Sequence, residues 1–134
     1  MKAANGLGYQ VYFPGQCPSG KNSIQTTRTG HRYPKKRFVD WRDAAVLTAV
    51  RAIPKGTVGP LFKKPLPLTI TVYYVPGDAR RRDVPGMLDA LFHVLERAGV
   101  VEDDAQIQYV EWATHAIDRE TPRVMVRLEP GGGA

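Results

Sequence analysis

One stretch of the sequence, RRRDVPGMLDALFHVLERAGVVEDDAQI, combines a basic run with acids at two separated positions. Three arginines precede one acid, and an acid pair follows the next amphipathic segment; the set is Arg80, Arg81, Arg82, Asp83, Asp103 and Asp104. Carboxylate, water and phosphate oxygens are the ligands that Mg²⁺ prefers. A cation held in this way can polarise a phosphodiester and activate water, while arginines hold flanking phosphates by bidentate hydrogen bonds. These residue types suit a metal-dependent enzyme that acts on a polyanion.

The same acids also have an ordinary structural interpretation. Asp83 could cap a helix N-terminus, where a negative charge suits the helix dipole, and Asp103 and Asp104 could form a simple turn. For an acid pair in an arbitrary protein this interpretation is the commoner one. The spacing alone therefore does not establish a nuclease.

No rival catalytic motif is present in the sequence. It contains no GxSxG, HExxH, GxxxxGK[ST] or CxxC pattern, and His31, His93 and His115 lack the spacing of zinc ligands. The acids and arginines are therefore the main candidates for chemistry.

Charge is distributed unevenly along the chain. Residues 1–82 contain 15 Lys/Arg and 3 Asp/Glu, a balance of +12, whereas residues 83–134 contain 4 Lys/Arg and 10 Asp/Glu, a balance of −6. A basic surface attracts a phosphate backbone, although Lys and Arg also simply solubilise surfaces. Tyr33 and Trp41 are interleaved with basic residues and could stack bases, but Trp41 is better explained as part of a core.

Length and composition predict one soluble domain. The chain has 134 residues, of which 43% are hydrophobic, and it contains one cysteine, Cys17. It has no apolar run long enough to span a membrane, and its first residues do not resemble a secretory signal. A lone cysteine fits a reducing compartment, so we expect a cytoplasmic protein in which Cys17 is a small buried hydrophobe rather than a reactive thiol.

Periodicity predicts a single compact α/β (α+β) domain over residues 1–134, with a small mixed sheet packed with two main helices. We expect strands at Tyr9–Phe13, Leu68–Val75, IQYVEWATHAI and RVMVRLE, and helices from Trp41 to about Ile53 and from Pro85 to about Ala98. A long basic loop is expected at 14–38, with a short hairpin around Thr26–Arg32. The ends at 1–8 and 130–134 are expected to be flexible. Asp40 is the predicted cap of the first helix, and Pro85 suits the first turn of the second.

The second predicted helix is amphipathic. Leu88, Leu91, Phe92, Leu95 and Ala98 form one apolar stripe, whereas Asp89, His93 and Glu96 fall on the other side.

The opening stretch resembles the signature of RusA-type Holliday junction resolvases, which have a basic run, Asp-x-Asp-Asn, a helix carrying a lysine, an Ala-Gly turn and Asp-Asp-x-Gln. The similarity extends upstream to PGQCPSGKN and covers roughly residues 9–128. It implies a homodimer that binds branched DNA, specifically four-way junctions, and makes paired nicks with Mg²⁺ or Mn²⁺. The exposed half of IQYVEWATHAI is a candidate dimer interface, and no membrane partner is expected.

The resemblance also assigns roles to residues. It implies metal-binding acids at Asp83 and Asp104, with Asp103 beside the latter. Candidate DNA contacts are the arginine run and the basic first loop: Arg80, Arg81, Arg82, Lys21, Asn22, Arg32, Lys35, Lys36 and Arg37.

The sequence departs from the family pattern at three positions. Pro85 stands where the family has the second Asp, Gly86 where it has Asn, and Asp89 where it has the catalytic Lys. A carboxylate lost at position 85 and gained at 89 has moved by about one helical turn, roughly 6 Å.

We therefore expect Asp83, Asp89 and Asp104 to be catalytic metal ligands, with Asp103 or His93 in support. The alternative is a decayed site in a protein that binds junctions without cleaving them.

Overall fold

The secondary structure follows the hydrophobic periods of the sequence. The computed structural model describes residues 8–19, 24–26, 28–30 and 32–131. In chain order its elements are β1 (Tyr9–Pro14), β2 (Ile24–Thr26), β3 (Arg32–Pro34), α1 (Lys36–Arg51), β4 (Leu68–Val75), α2 (Val84–Arg97), β5 (Ile107–Thr114) and β6 (Arg123–Pro130). A short 3-10 helix, Asp104–Gln106, leads into β5.

Four strands form one mixed sheet in the order β1-β6-β4-β5, and β2 and β3 form a separate hairpin. β4 and β5 are parallel, with Ile70 opposite Val110 and Val72 opposite Trp112. The β1–β6 and β4–β6 pairs are antiparallel. β1 and β5 are therefore the two edges of the sheet.

One hydrophobic core lies between the sheet and the two helices. Alternate residues along β1, β4 and β6 are buried, and they pack in one cluster with residues of both helices; examples are Val11, Phe13, Ile70, Val72, Val124, Val126, Ala45, Ala49, Leu91 and Val94. This period of two puts the intervening side chains on the other face of the sheet, where Tyr12 is exposed. The predicted fold class, a small single α+β domain with a mixed sheet and two helices, is confirmed.

The first helix begins earlier than predicted. α1 starts at Lys36 rather than Trp41, and Asp40 lies inside it, accepting a hydrogen bond from Lys36 Nζ at 2.7 Å. Phe38 and Trp41 are already half-buried, so core packing extends the helix without a side-chain cap. The predicted loop at 14–38 is accordingly interrupted by the hairpin and ends at Lys35.

The predicted flexible ends are described in part. Pro130 closes β6 opposite Leu68 instead of belonging to a free tail. Residues 1–7 and 132–134 lie outside the described part of the chain. None of the described helices combines the length and apolar composition needed to cross a membrane.

Candidate metal centre and basic pocket

Three carboxylates meet at the C-terminal end of α2, and we call them the acidic cluster: Glu96, Asp103 and Asp104. One oxygen from each lies within 4.8 Å of the others. Such a set of hard oxygen donors suits Mg²⁺ or Mn²⁺. The residues present therefore fit the cation that the sequence implies.

Backbone hydrogen bonds hold this cluster in place. Gly99, at φ +79°, lets the chain turn out of α2. Asp104 N then donates to Glu96 Oε1 at 2.9 Å, and Ala105 N donates to Asp103 Oδ1 at 2.9 Å. Gln106 Oε1 accepts from Asp103 N at 3.0 Å, which completes a capping box. Backbone donors of this turn thus hold the Glu96 and Asp103 carboxylates in position.

Electrostatic repulsion acts within the cluster. Partial burial raises the pKa of Asp104, and the negative charges of Glu96, Asp103 and Asp89 raise it further, whereas His93 opposes them. A divalent cation would relieve this repulsion directly.

Asp89 and His93 lie near the cluster along the exposed side of α2. Both act electrostatically on Asp104, and the His93 ring packs 6.5 Å from that of Phe38 on α1. Both groups thus lie within electrostatic range of the Asp104 carboxylate. The group of oxygens within 4.8 Å, however, contains Glu96 rather than Asp89.

Sequence reasoning did not select Glu96 as a ligand. It lies seven residues after Asp89 and three after His93, so all three share one helix side. The sequence signal for Glu96 was its position just before the Ala98-Gly99 turn. This turn reverses the chain, so the acids that follow it return to the end of the helix that carries Glu96.

Asp83 lies at the opposite end of α2. It is the N-cap residue, whereas Glu96 is in the last turn, so about 13 residues or roughly 20 Å of helix separate them. The topology requires this: Asp83 follows the carboxyl end of β4, whereas Asp103 and Asp104 precede the amino end of its parallel neighbour β5. The helix carries the chain away from Asp83, so one copy does not bring Asp83 and Asp104 to the same ion.

Asp83 instead borders a strongly basic pocket of about 420 Å³. Its charged lining consists of five cations and one acid, and we call it the basic pocket: Lys35, Arg37, Arg80, Arg81, Arg82 and Asp83. Gln16, Cys17, Pro18, Ser19, Phe38 and Trp41 complete its wall. A pocket of this charge at a helix N-terminus suits a phosphate group.

The three arginines of the basic pocket are not equivalent. Arg82 donates to both carboxylate oxygens of Asp78, at 2.7 and 3.2 Å, and this ion pair holds the pKa of Asp78 at about 2. Arg80 and Arg81 are exposed and form no salt bridge with another described residue. Arg82 thus fixes the loop, and its two neighbours remain available to an anion.

Gly86 has a packing reason to be glycine. A Cβ at this position would lie 2.0 Å from Ser19 Oγ and 2.9 Å from Asp83 Oδ2. The absent side chain lets the segment around Ser19 lie against α2 and close the basic pocket. Pro85 lies in the first turn of α2, as predicted, and the side chain of Asp83 makes no capping hydrogen bond.

The remaining predicted DNA contacts divide into three groups. Lys35 and Arg37 line the basic pocket. Lys36 is exposed and paired with Asp40 instead. Lys21 and Asn22 lie outside the described residues, and Arg32 is described only as part of β3.

Cys17 and Trp41, for which the sequence left a core role and a functional role open, both contribute to the core. Cys17 is 1% exposed, and burial raises the pKa of its thiol to about 12. Trp41 packs against Phe13 with ring centroids 6.1 Å apart. Its buried indole N–H has no acceptor among the described residues.

No protein-family model matches this chain, and a search of curated proteins finds no significant match. The similarity to RusA-type resolvases therefore stands on the motif residues quoted above.

Proposed function

We propose that this protein is a metal-dependent endodeoxyribonuclease that acts on branched DNA, in the manner of the RusA-type resolvases that its motif resembles. The acidic cluster carries this proposal, because three carboxylates held together by their own backbone form an oxygen-donor set. The basic pocket supports the choice of a polyanion as substrate.

Glu96, Asp103 and Asp104 would hold Mg²⁺ or Mn²⁺, with Asp89 and His93 adjusting the local charge. The bound cation would supply an activated water and a polarised phosphodiester. Arg80 and Arg81 are placed to hold phosphates, and Arg82 keeps their loop in position through Asp78. Positioning and charge neutralisation are the main contributions that such chemistry needs from the protein.

The second candidate is a protein that binds junctions without cleaving them. The separation of Asp83 from the acidic cluster favours it, since the acids that the motif groups are not adjacent in one copy. Pro85, Gly86 and Asp89, which depart from the family pattern, point the same way.

A metal titration with a synthetic four-way junction and a linear duplex of equal length distinguishes the two functions. A nuclease would nick the junction in paired positions once Mg²⁺ or Mn²⁺ is present and would spare the linear duplex. A binding protein would retain the junction without nicks at any metal concentration. Equal affinity for both DNAs, weakened alike by salt, would indicate only electrostatic binding and would contradict both.

A further inference from the structure

The face of the sheet that points away from the helices carries a row of large side chains. Tyr12 on β1 lies opposite Met125 on β6, and Met125 lies opposite Tyr73 on β4. Ala113 on β5 ends the row beside Tyr73. Because neighbouring strands are about 4.8 Å apart, the two tyrosines lie roughly 10 Å apart, with the flexible Met125 side chain between them. Tyr12 is 51% exposed, so the row faces solvent.

The turn after β5 closes one end of this row and forms a cavity of about 870 Å³. His115 N donates to Tyr74 O at 2.8 Å, and Asp118 N donates to Pro76 O at 2.9 Å. These bonds hold the turn against the carboxyl end of β4. We call the space the aromatic cavity, and its aromatic and apolar lining is Tyr12, Tyr73, Val75, His115, Ile117 and Met125.

The rings of the aromatic cavity are arranged to take a flat ligand. The His115 ring lies 5.8 Å from the Tyr73 ring, with 35° between their planes. Two arginines and two acids in the wall cancel in charge, so stacking rather than net charge governs what binds there. Four-stranded sheets with aromatic side chains on one face stack unpaired bases in this way.

A third cavity, of about 480 Å³, adjoins both the aromatic cavity and the basic pocket, and we call it the connecting cavity. It shares Arg80 and Arg82 with the basic pocket. It shares His115, Ala116 and Ile117 with the aromatic cavity. A strand whose phosphate is held by the arginines therefore has a lined path that leads to the aromatic rings.

We propose that this path binds an unpaired DNA strand, with its phosphates in the basic pocket and its bases stacked in the aromatic cavity. The five cations of the basic pocket select a polyanion. The rings then select among polyanions, because a duplex keeps its base faces inside the stack, whereas a single strand exposes them.

This inference rests on the proposed function, which makes DNA the ligand, and it makes the substrate class more specific. The preferred substrate is a branch that carries a single-stranded arm. The arm follows the path from the basic pocket to the aromatic cavity, while the paired arms stay outside it.

Binding of a fluorescein-labelled oligothymidylate, measured by anisotropy without metal, tests the path. A length of about 12 nucleotides falls within the usual site sizes of single-strand binders. The double variant Tyr12→Ala/His115→Ala removes two rings that are exposed in the structure. We expect its affinity to fall by about 5- to 150-fold for each lost base stack, with the affinity for a linear duplex of equal length unchanged.

Two further variants separate stacking from other effects. Tyr12→Phe/His115→Phe keeps both rings and should bind the oligothymidylate as wild type does. Leu47→Ala removes a side chain on α1 that is 50% exposed and lines none of the three cavities, so it should also match wild type.

The salt dependence of oligothymidylate binding provides a second readout. Rings contact no phosphate, so the double alanine variant should keep the wild-type slope of log affinity against log salt. Arg81→Ala removes a phosphate contact and should lower that slope by about 0.7 for a single strand. A slope that falls in the double alanine variant would contradict the stacking role.

Oligothymidylate binding that survives the double alanine substitution would overturn the proposal, as would equal losses for the single strand and the duplex. Either result leaves the proposed nuclease standing, because nicking of a junction is measured separately. A protein that binds the strand through its rings and nicks no DNA with any metal would keep the path and refute the nuclease.

Discussion

Asp104 carries a carboxyl group whose charged form is destabilised by its own neighbours. Its raised pKa means that the folded state holds the proton more tightly than the unfolded state, so this group costs stability as pH rises through its folded pKa. We expect metal-free Asp104→Asn to unfold at a higher temperature than wild type at neutral pH. The difference should shrink in acid, where wild type is also protonated.

Thermal unfolding with and without Mn²⁺ provides the measurement. Mn²⁺ at 100 times its dissociation constant would stabilise wild type by about 2.7 kcal/mol, and Asp104→Asn should lose this gain. Glu120→Gln removes an exposed acid outside the cluster and should keep it. A metal response that survives in Asp104→Asn would place the ion elsewhere.

Gly86 is the second residue with a specific consequence. Gly86→Ala forces a methyl group against Ser19 and Asp83, and overpacking of this kind costs about 1–3 kcal/mol. We expect a lower midpoint in denaturant and weaker DNA binding, because the wall of the basic pocket must move. Unchanged stability and affinity would show that the Ser19 segment adapts freely.

The sequence was informative about which acids are candidates for chemistry and less so about how they group. Asp103 and Asp104 were selected and lie together with Glu96, which was not, and the selected Asp89 and His93 act electrostatically on Asp104. Asp83 was expected beside them and lies a helix length away. Side-chain type is local information, whereas the end of the sheet at which an acid falls depends on the parallel pairing of β4 and β5.

At the scale of elements, the loop between β4 and α2 contains one arginine with a structural ion pair, Arg82, and two, Arg80 and Arg81, that we propose to contact DNA. Arg82→Ala removes the pair with Asp78 and should lower the unfolding temperature. Arg81→Ala touches no described salt bridge, so it should leave stability unchanged while weakening DNA binding and reducing the salt slope by about 1. The reverse pattern, with Arg81 structural and Arg82 dispensable for stability, would contradict this assignment.

Helices and strands with a strong hydrophobic period were predictable from the sequence. Their boundaries and the order of the strands in the sheet were less predictable. β4, α2 and the hairpin near Thr26–Arg32 were expected and are present. The start of α1 was placed at Trp41 because Asp40 looks like a cap, but burial of Phe38 and Trp41 extends the helix to Lys36. Strand order was not predictable, because pairing joins residues far apart in sequence.

At the scale of the whole molecule, the uneven charge of the sequence becomes a polarity in space. The basic first half and the arginine run meet at the N-terminal end of α2, and part of the acidic second half gathers at its C-terminal end. The molecule therefore has a basic end and an acidic end, about one helix length apart.

The central claim is that the acidic cluster hydrolyses DNA with a bound cation. It is tested most directly by the nicking rate on a four-way junction with Mn²⁺, comparing wild type, Asp104→Asn and Glu120→Gln. We predict a loss of more than about 100-fold in Asp104→Asn with junction binding retained, since even residues outside the ligand set are worth about 10–100-fold. Glu120→Gln should match wild type, and an Asp104→Asn variant that nicks at the wild-type rate would contradict the claim.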